Sequence, residues 1–153
     1  MRIMSTRVRR LRACGAAFVL ATSAGLIPSL AVAADGPIAD TKVWCGEAAK
    51  MIGDKDTQKF FASFVFASGG LIDRPSVEQA FASLPPALSR EGAFISGDFL
   101  VEKAYGETLS RAWFLIQFEN GLLFLRCEGA KRGNGWIIVN VTYDNQADNV
   151  RLP

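Results

Sequence analysis

Asn120-Gly121 interrupts a segment of alternating apolar residues, with Phe114, Ile116 and Phe118 before it and Leu123, Leu125 and Cys127 after it. Asn-Gly suits a two-residue turn with positive φ at both central positions, so the dipeptide specifies an antiparallel hairpin. The register it sets pairs Phe118 with Leu123, Ile116 with Leu125, and Phe114 with Cys127. All three pairs are apolar, so turn chemistry and side-chain pattern agree. Further turn signals at Tyr105-Gly106 and Gly133-Asn134-Gly135 divide the chain from Phe94 onward into four strands, roughly 94–104, 107–119, 122–132 and 136–144. A three-residue Gly-Asn-Gly loop sets Cys127 opposite Val141 and keeps one face apolar.

That face carries Ile95, Phe99, Val101, Phe114, Ile116, Phe118, Leu123, Leu125, Cys127, Ile137, Val139, Val141 and Tyr143. The opposite face mixes charge with apolar bulk: Asp98, Glu102, Arg111, Trp113, Leu115, Gln117, Phe124, Arg126, Glu128, Trp136, Ile138, Asn140 and Thr142. Such a face suits either solvent or a protein interface, most simply a two-fold homodimer through Trp113, Leu115, Phe124 and Arg126.

The segment before Phe94 reads as helical. Trp44, Ala48, Met51 and Ile52 recur at helical spacing and stop at Gly53. Asp54 is placed to cap a second helix bearing Phe60, Phe61, Phe64 and Val65, which ends at Gly69-Gly70. Ser76-Val77-Glu78-Gln79 has capping-box spacing and opens a third, with Val77, Ala80, Phe81 and Leu84, which Pro85-Pro86 breaks. Leu88 sits on one last turn before Gly92. The apolar sheet face needs these amphipathic helices as cover. The fold class is therefore α+β, with N-terminal helices packed on a curved four-stranded antiparallel meander.

Charge is unevenly placed along the 153 residues. The chain has 17 Lys and Arg against 15 Asp and Glu, a net charge of +2, yet five of the basic residues fall in the first twelve positions and no acidic residue precedes Asp35. A basic stretch to Arg12, an uncharged run from Ala13 to Ala34 and the small-residue site Ala31-Val32-Ala33 form a secretory signal at residues 1–33, cleaved after Ala33. Pro28 and that site argue against an uncleaved membrane anchor, so no membrane association is expected after cleavage. A single domain, 34–153, remains, with its core about 42–144 and a short C-terminal tail. It carries 12 basic and 15 acidic residues, 12 − 15 = −3, and belongs in a secreted or periplasmic setting. Cys14 leaves with the signal. Cys45 and Cys127 remain, an even pair in an oxidising compartment, and a disulfide between them closes a loop worth about 4–5 kcal/mol.

The chain has no histidine. That excludes a Ser/His/Asp triad, a Cys/His pair and the common zinc sites. Asp54-Lys55-Asp56 begins like a calcium loop but has Lys59 where glycine is needed and Val65 where a bidentate carboxylate is needed. Asn140-Val141-Thr142 fits a glycosylation triplet but falls mid-strand. The exported part is acidic, and its clustered basic residues are Lys131-Arg132, so nucleic acid is not an expected partner. No motif calls for a cofactor or metal. Phe60, Phe61, Phe64, Phe66, Phe81, Phe94, Phe99, Phe114 and Phe118 are open to two readings, a pocket lining for an apolar ligand or plain core. Tyr143 is either a ligand donor or a strand-end tyrosine facing water.

Helices first, a Gly53-Asp54 break, then a long-stranded meander closing on Gly135-Trp136-Ile137-Ile138-Val139-Asn140 resembles the nuclear-transport-factor-2-like superfamily, also called cystatin-like. The resemblance runs from about Trp44 to Asp144. Ketosteroid isomerase, scytalone dehydratase and many small exported bacterial proteins of unknown role share that fold. It implies a bent sheet that wraps the helices into a cone, whose mouth can hold a small ligand, and an outer sheet face that often pairs subunits. Enzymatic members place a carboxylate, a histidine or a tyrosine inside the cone. Here the inward face offers Tyr143 and Cys127, while Asp98, Glu102 and Glu128 alternate outward, so a general base would have to come from Glu47 or Asp54 at the mouth. The expectation leans away from an enzyme. It is a non-enzymatic exported domain that binds a small apolar ligand, through Phe114, Phe118 and Tyr143, or a protein partner. The alternatives are an isomerase or dehydratase using a carboxylate at the mouth, and an inhibitor or accessory subunit of an envelope or secretion system.

Overall fold

The computed structural model describes residues 35–150 and 152; the expected signal, its cleavage site and Cys14 lie outside them. Four helices come first: α1 (Thr41–Gly53), α2 (Thr57–Ala67), α3 (Arg74–Ala80) and α4 (Leu84–Leu88). Four strands follow, β1 (Phe94–Tyr105), β2 (Leu109–Phe118), β3 (Leu122–Arg132) and β4 (Gly135–Asp144), and then a 3-10 turn at Ala147–Asn149. The sheet is antiparallel throughout, in the order β1-β2-β3-β4. The fold is α+β with its helices N-terminal to the strands, as the sequence implies.

Each of the first three helices begins on an aspartate whose carboxylate accepts the backbone N–H three residues on: Asp40 from Val43, Asp56 from Lys59, and Asp73 from Ser76. These bonds satisfy donors that a helix start otherwise leaves unpaired. The Ser76 hydroxyl and N–H together hold the Asp73 carboxyl below the usual carboxylate range. Two sequence expectations shift here. Asp54 ends α1 rather than starting α2, and Asp73 rather than Ser76 caps α3. Pro85 and Pro86 open α4 instead of only breaking α3, because a helix's first turn needs no N–H from proline.

The β2–β3 register differs from the expected one by two residues: Ile116 faces Leu123, Phe114 faces Leu125, and Ala112 faces Cys127. The turn is Glu119-Asn120, closed by the Phe118 N–H donating to Gly121 O at 2.9 Å, and neither Asn120 nor Gly121 takes a positive φ. The α4–β1 loop overrides the local Asn-Gly preference. Glu119 N–H donates to Ala93 O and Asn120 N–H to Glu91 O, both at 3.0 Å, while the Glu119 carboxylate accepts the Ala93 N–H at 3.0 Å. A slip of two keeps the parity of every side chain, so the faces survive.

Bulges, not turns, correct the face assignments elsewhere. β3 and β4 are joined by a two-residue turn, Gly133-Asn134, with Gly133 at φ 61°. Cys127 still faces Val141, because Val139 is an extra residue between the Gly129–Ile138 and Glu128–Asn140 pairs. The bulge reverses parity, so Ile138 enters the core fully buried and Ile137 lies outside the core cluster. In β1, Ile95 and Leu100 are extra. Ile95 is 61% exposed rather than inward. Beyond Leu100, Val101 faces Trp113 in the outer row and Glu102 faces Ala112 in the inner one, where the Ser110 hydroxyl donates to Glu102 at 2.6 Å.

Helix α1 lies across β1, β2 and β3. A disulfide joins its Cys45 to Cys127 in mid-β3, with a Cα–Cα distance of 5.8 Å and a separation of 82 residues. Both sulfurs belong to fully buried residues. Closing so long a loop contributes about 4.5 kcal/mol in the chain-entropy account. At the start of α1 the Thr41 side chain rests on Gly129, where any Cβ would overlap it. Its hydroxyl is buried without a hydrogen-bond partner. The preceding segment covers the start of β4's outer edge: Ile38 and Trp136 exchange N–H···O bonds at 3.2 and 2.8 Å, and Gly36 N–H donates to the O of Arg132, at the end of β3, at 2.7 Å.

Two substitutions at this contact should move stability differently. Gly129→Ala should cost about 1–3 kcal/mol in urea unfolding, from overpacking against Thr41. Thr41→Val, which removes an unsatisfied buried hydroxyl at similar volume, should be neutral or stabilising.

Candidate functional site

Most of the aromatic residues offered as a pocket lining fill the interior. Phe60 meets Phe81 edge-on at 5.3 Å and Phe64 meets it at 6.1 Å. Phe99 packs on Phe114 at 5.5 Å and Phe94 on Phe118 at 6.2 Å. Phe114 and Phe118 are core residues, 8% and 4% exposed. Phe66 instead points away, 66% exposed, and Phe99 on the edge strand β1 is 41% exposed under the Lys42 ammonium rather than enclosed.

Tyr143 stands apart from these. Its ring stacks on Phe81 at 5.8 Å, and its hydroxyl lies 2.6 Å from the Ser83 hydroxyl. The pair forms the head of a cleft of about 420 Å³ between α4 and the ends of β3 and β4. Ala87, with the edges of the buried Leu88 and Leu123, gives it an apolar wall, and the rest of the lining is polar: Glu91, Asp144, Asn145, Gln146 and Asn149 beside the two hydroxyls. Ser83 is the member that sequence reading missed. It lies in the single turn between α3 and α4, and a serine ahead of Leu84-Pro85-Pro86 carries no pattern that separates a ligand-facing hydroxyl from a helix start.

Glu47 and Asp54, the carboxylates offered as a base at the mouth, border a separate hollow with Lys50 and Lys59. Neither lines the Tyr143 cleft. Among the described residues no group of three or more His, Cys, Asp or Glu side chains could hold a metal ion. No helix among them is long and apolar enough to cross a membrane.

The outer sheet face is ordered in rows by its register. Lys103, Arg111, Glu128 and Asn140 form one row; Val101, Trp113, Arg126 and Thr142 the next; Asp98, Leu115, Phe124 and Asp144 a third. Arg111 and Arg126 each bring Nε to the same Glu128 oxygen, at 3.2 and 3.4 Å. These are ion pairs by distance rather than aligned hydrogen bonds, since both Nε groups are without a hydrogen-bond acceptor. The Arg111 guanidinium also lies 4.8 Å from the centre of the Tyr105 ring. The expected interface residues Trp113, Leu115, Phe124 and Arg126 are thus neighbours on one face. Trp113 itself is buried, and Asn149 and Val150 of the C-terminal segment border the same groove. The tail, read from sequence as lying beyond the core, reaches this face.

No family model and no curated protein matches the chain. Among solved structures it is similar to the crystal structure of a DUF4783 family protein from Bacteroides uniformis ATCC 8492, with 11% identity and a TM-score of 0.44. The match covers 64% of this chain and 93% of that one. It is a distant structural neighbour.

Tyr143→Phe should keep the stack on Phe81 and lose the bond to Ser83. The expected cost is about 0.5–1.5 kcal/mol in urea unfolding, with unchanged far-UV circular dichroism.

Proposed function

We propose that the protein is an exported, non-enzymatic binding domain of the nuclear-transport-factor-2-like kind, which holds a small, mainly apolar ligand at Tyr143. The observation that carries this reading is the paired hydroxyls of Ser83 and Tyr143 at the head of a cleft walled by Ala87, Leu88 and Leu123. One apolar wall facing a polar rim suits a ligand with an apolar body and a polar end, and about 420 Å³ falls within the range of small-molecule sites. The hydroxyl pair supplies one orienting hydrogen bond to a polar end of the ligand. The sequence offers no histidine for proton transfer, and Glu47 and Asp54 border another hollow. Glu91 and Asp144 do border the cleft, so an isomerase or dehydratase using a carboxylate is the second reading, and binding without chemistry is the first. Export agrees with the signal-like first 33 residues and with a disulfide, which persists in oxidising compartments.

The neutral fluorophore 1-aminoanthracene should bind the cleft saturably, with a blue-shifted emission. Ala87→Trp, which fills the cleft from α4's exposed side, should weaken it at least tenfold. Absence of saturable binding to the wild type, or equal binding by the variant, would sink the reading. Intact mass of the secreted protein should correspond to a chain starting at Ala34, lighter than its reduced form by the two hydrogens of one disulfide. A chain starting at Met1 would remove export by cleavage.

A further inference from the structure

On the outer face a second hollow, of about 200 Å³, is lined by Trp113 and Phe124 and bordered by Asn149 and Val150. Its two charged groups do not pair with each other. Arg126 contacts Glu128 through Nε at 3.4 Å, and Arg111 holds the same carboxylate oxygen at 3.2 Å. Two guanidiniums thus share one carboxylate, so this end keeps a net positive charge. Among the described residues the terminal nitrogens of Arg126 have no protein acceptor, and these are the donors that grip a carboxylate side by side. Asp144, at the other end, accepts the Gln146 backbone N–H at 2.8 Å. No cation among the described residues lies within ion-pair distance of it. Because Arg126 faces Thr142 and Phe124 faces Asp144, the two charges are diagonal neighbours, about 7–8 Å apart at the backbone.

We propose that this hollow binds a free zwitterionic α-amino acid with an apolar side chain. Arg126 takes the carboxylate, Asp144 takes the ammonium group, and Trp113 with Phe124 contacts the side chain. The size sets the ligand class: sites for larger organic ligands run from about 300 Å³ upward, so a hollow of about 200 Å³ takes a compact metabolite and not a lipid. The charges set the rest, since a monoanion would leave Asp144 unmatched and a cationic amine would leave Arg126 unmatched. Tyr143, Asp144 and Asn149 border both hollows, but Ala87 lines the Tyr143 cleft and not this one, while Trp113, Phe124 and Arg126 line this one and not the cleft. Ala87→Trp and Arg126→Gln therefore tell the two readings apart.

Calorimetric titration of the secreted, disulfide-bonded protein with L-leucine should show one site. Leucinamide, which lacks the carboxylate, and N-acetyl-L-leucine, which lacks the ammonium group, should each bind at least tenfold more weakly. Arg126→Gln should weaken L-leucine at least tenfold while leaving leucinamide unchanged. Asp144→Asn should do the same while leaving N-acetyl-L-leucine unchanged. Ala87→Trp should leave L-leucine binding intact. No saturable heat with L-leucine, or equal affinity for all three compounds, would overturn the proposal. The comparison among compounds uses the wild type alone, so it decides the matter even where a variant fails to fold.

Discussion

The placement of α1 across the sheet is the contact on which everything else rests. Cys45 and Cys127 join the middle of that helix to the middle of β3, and Thr41 fits onto Gly129 a turn earlier. These two points fix both the position of the helix and its rotation about its own axis. Trp44, Ala48 and Ile52 are then presented to the inner strand residues, and α2 with the residue that follows α3 adds Phe60, Phe64 and Phe81 behind them. A domain of little more than a hundred residues buries only about two thirds of the surface its unfolded chain exposes. A covalent clasp through the centre of the core is therefore a large share of a stability that totals about 5–15 kcal/mol.

The sequence disclosed parity better than register. Apolar alternation identified the inner positions of β2 and β3, and it did so even though the turn forms at Glu119-Asn120, one residue before Asn120-Gly121, and the pairing shifts by two. The α4–β1 loop, through Glu91 and Ala93, supplies hydrogen bonds that outweigh the local φ preference, and no short-range pattern announces them. Bulges were the harder case. An extra residue at Val139 exchanges Ile137 for Ile138, and one at Leu100 exchanges Glu102 for Val101. Each depends on how a strand bends to follow its neighbour, and bending is a property of the assembled sheet. Helix existence was legible, whereas helix starts were displaced by a few residues because Asp54, Asp56 and Asp73 are equally good caps in isolation.

Site residues divided along the same line. Tyr143 was visible because it ends an inward-facing strand. Its partner Ser83 was not, because their meeting brings together residues 60 apart in the chain. Phe114 and Phe118 shared the inward parity of Tyr143, yet they stand where α1 and β1 close over the sheet and so belong to the core. Trp113, Phe124 and Arg126 were grouped correctly on the outer face, and the approach of Asn149 and Val150 was hidden in a polar tail. In this fold an inward or outward assignment narrows the field of candidates, and the ends of the elements decide among them.

The segment at Gly36 to Ile38 has an effect on association. By pairing with Trp136 it occupies the hydrogen-bonding groups at one end of β4, and its Gly36 N–H takes the Arg132 carbonyl at the end of β3, while among the described residues no strand pairs with the outer margin of the twelve-residue β1, which is interrupted by the extra residues Ile95 and Leu100. A sheet able to accept a strand on one margin but blunted on the other is polar in the sense of a growing chain with a terminator attached. Two copies joined margin to margin through β1 would leave two β4 strands as the outer margins, each covered at its Trp136 end by its own Ile38, which disfavours strand addition beyond the pair.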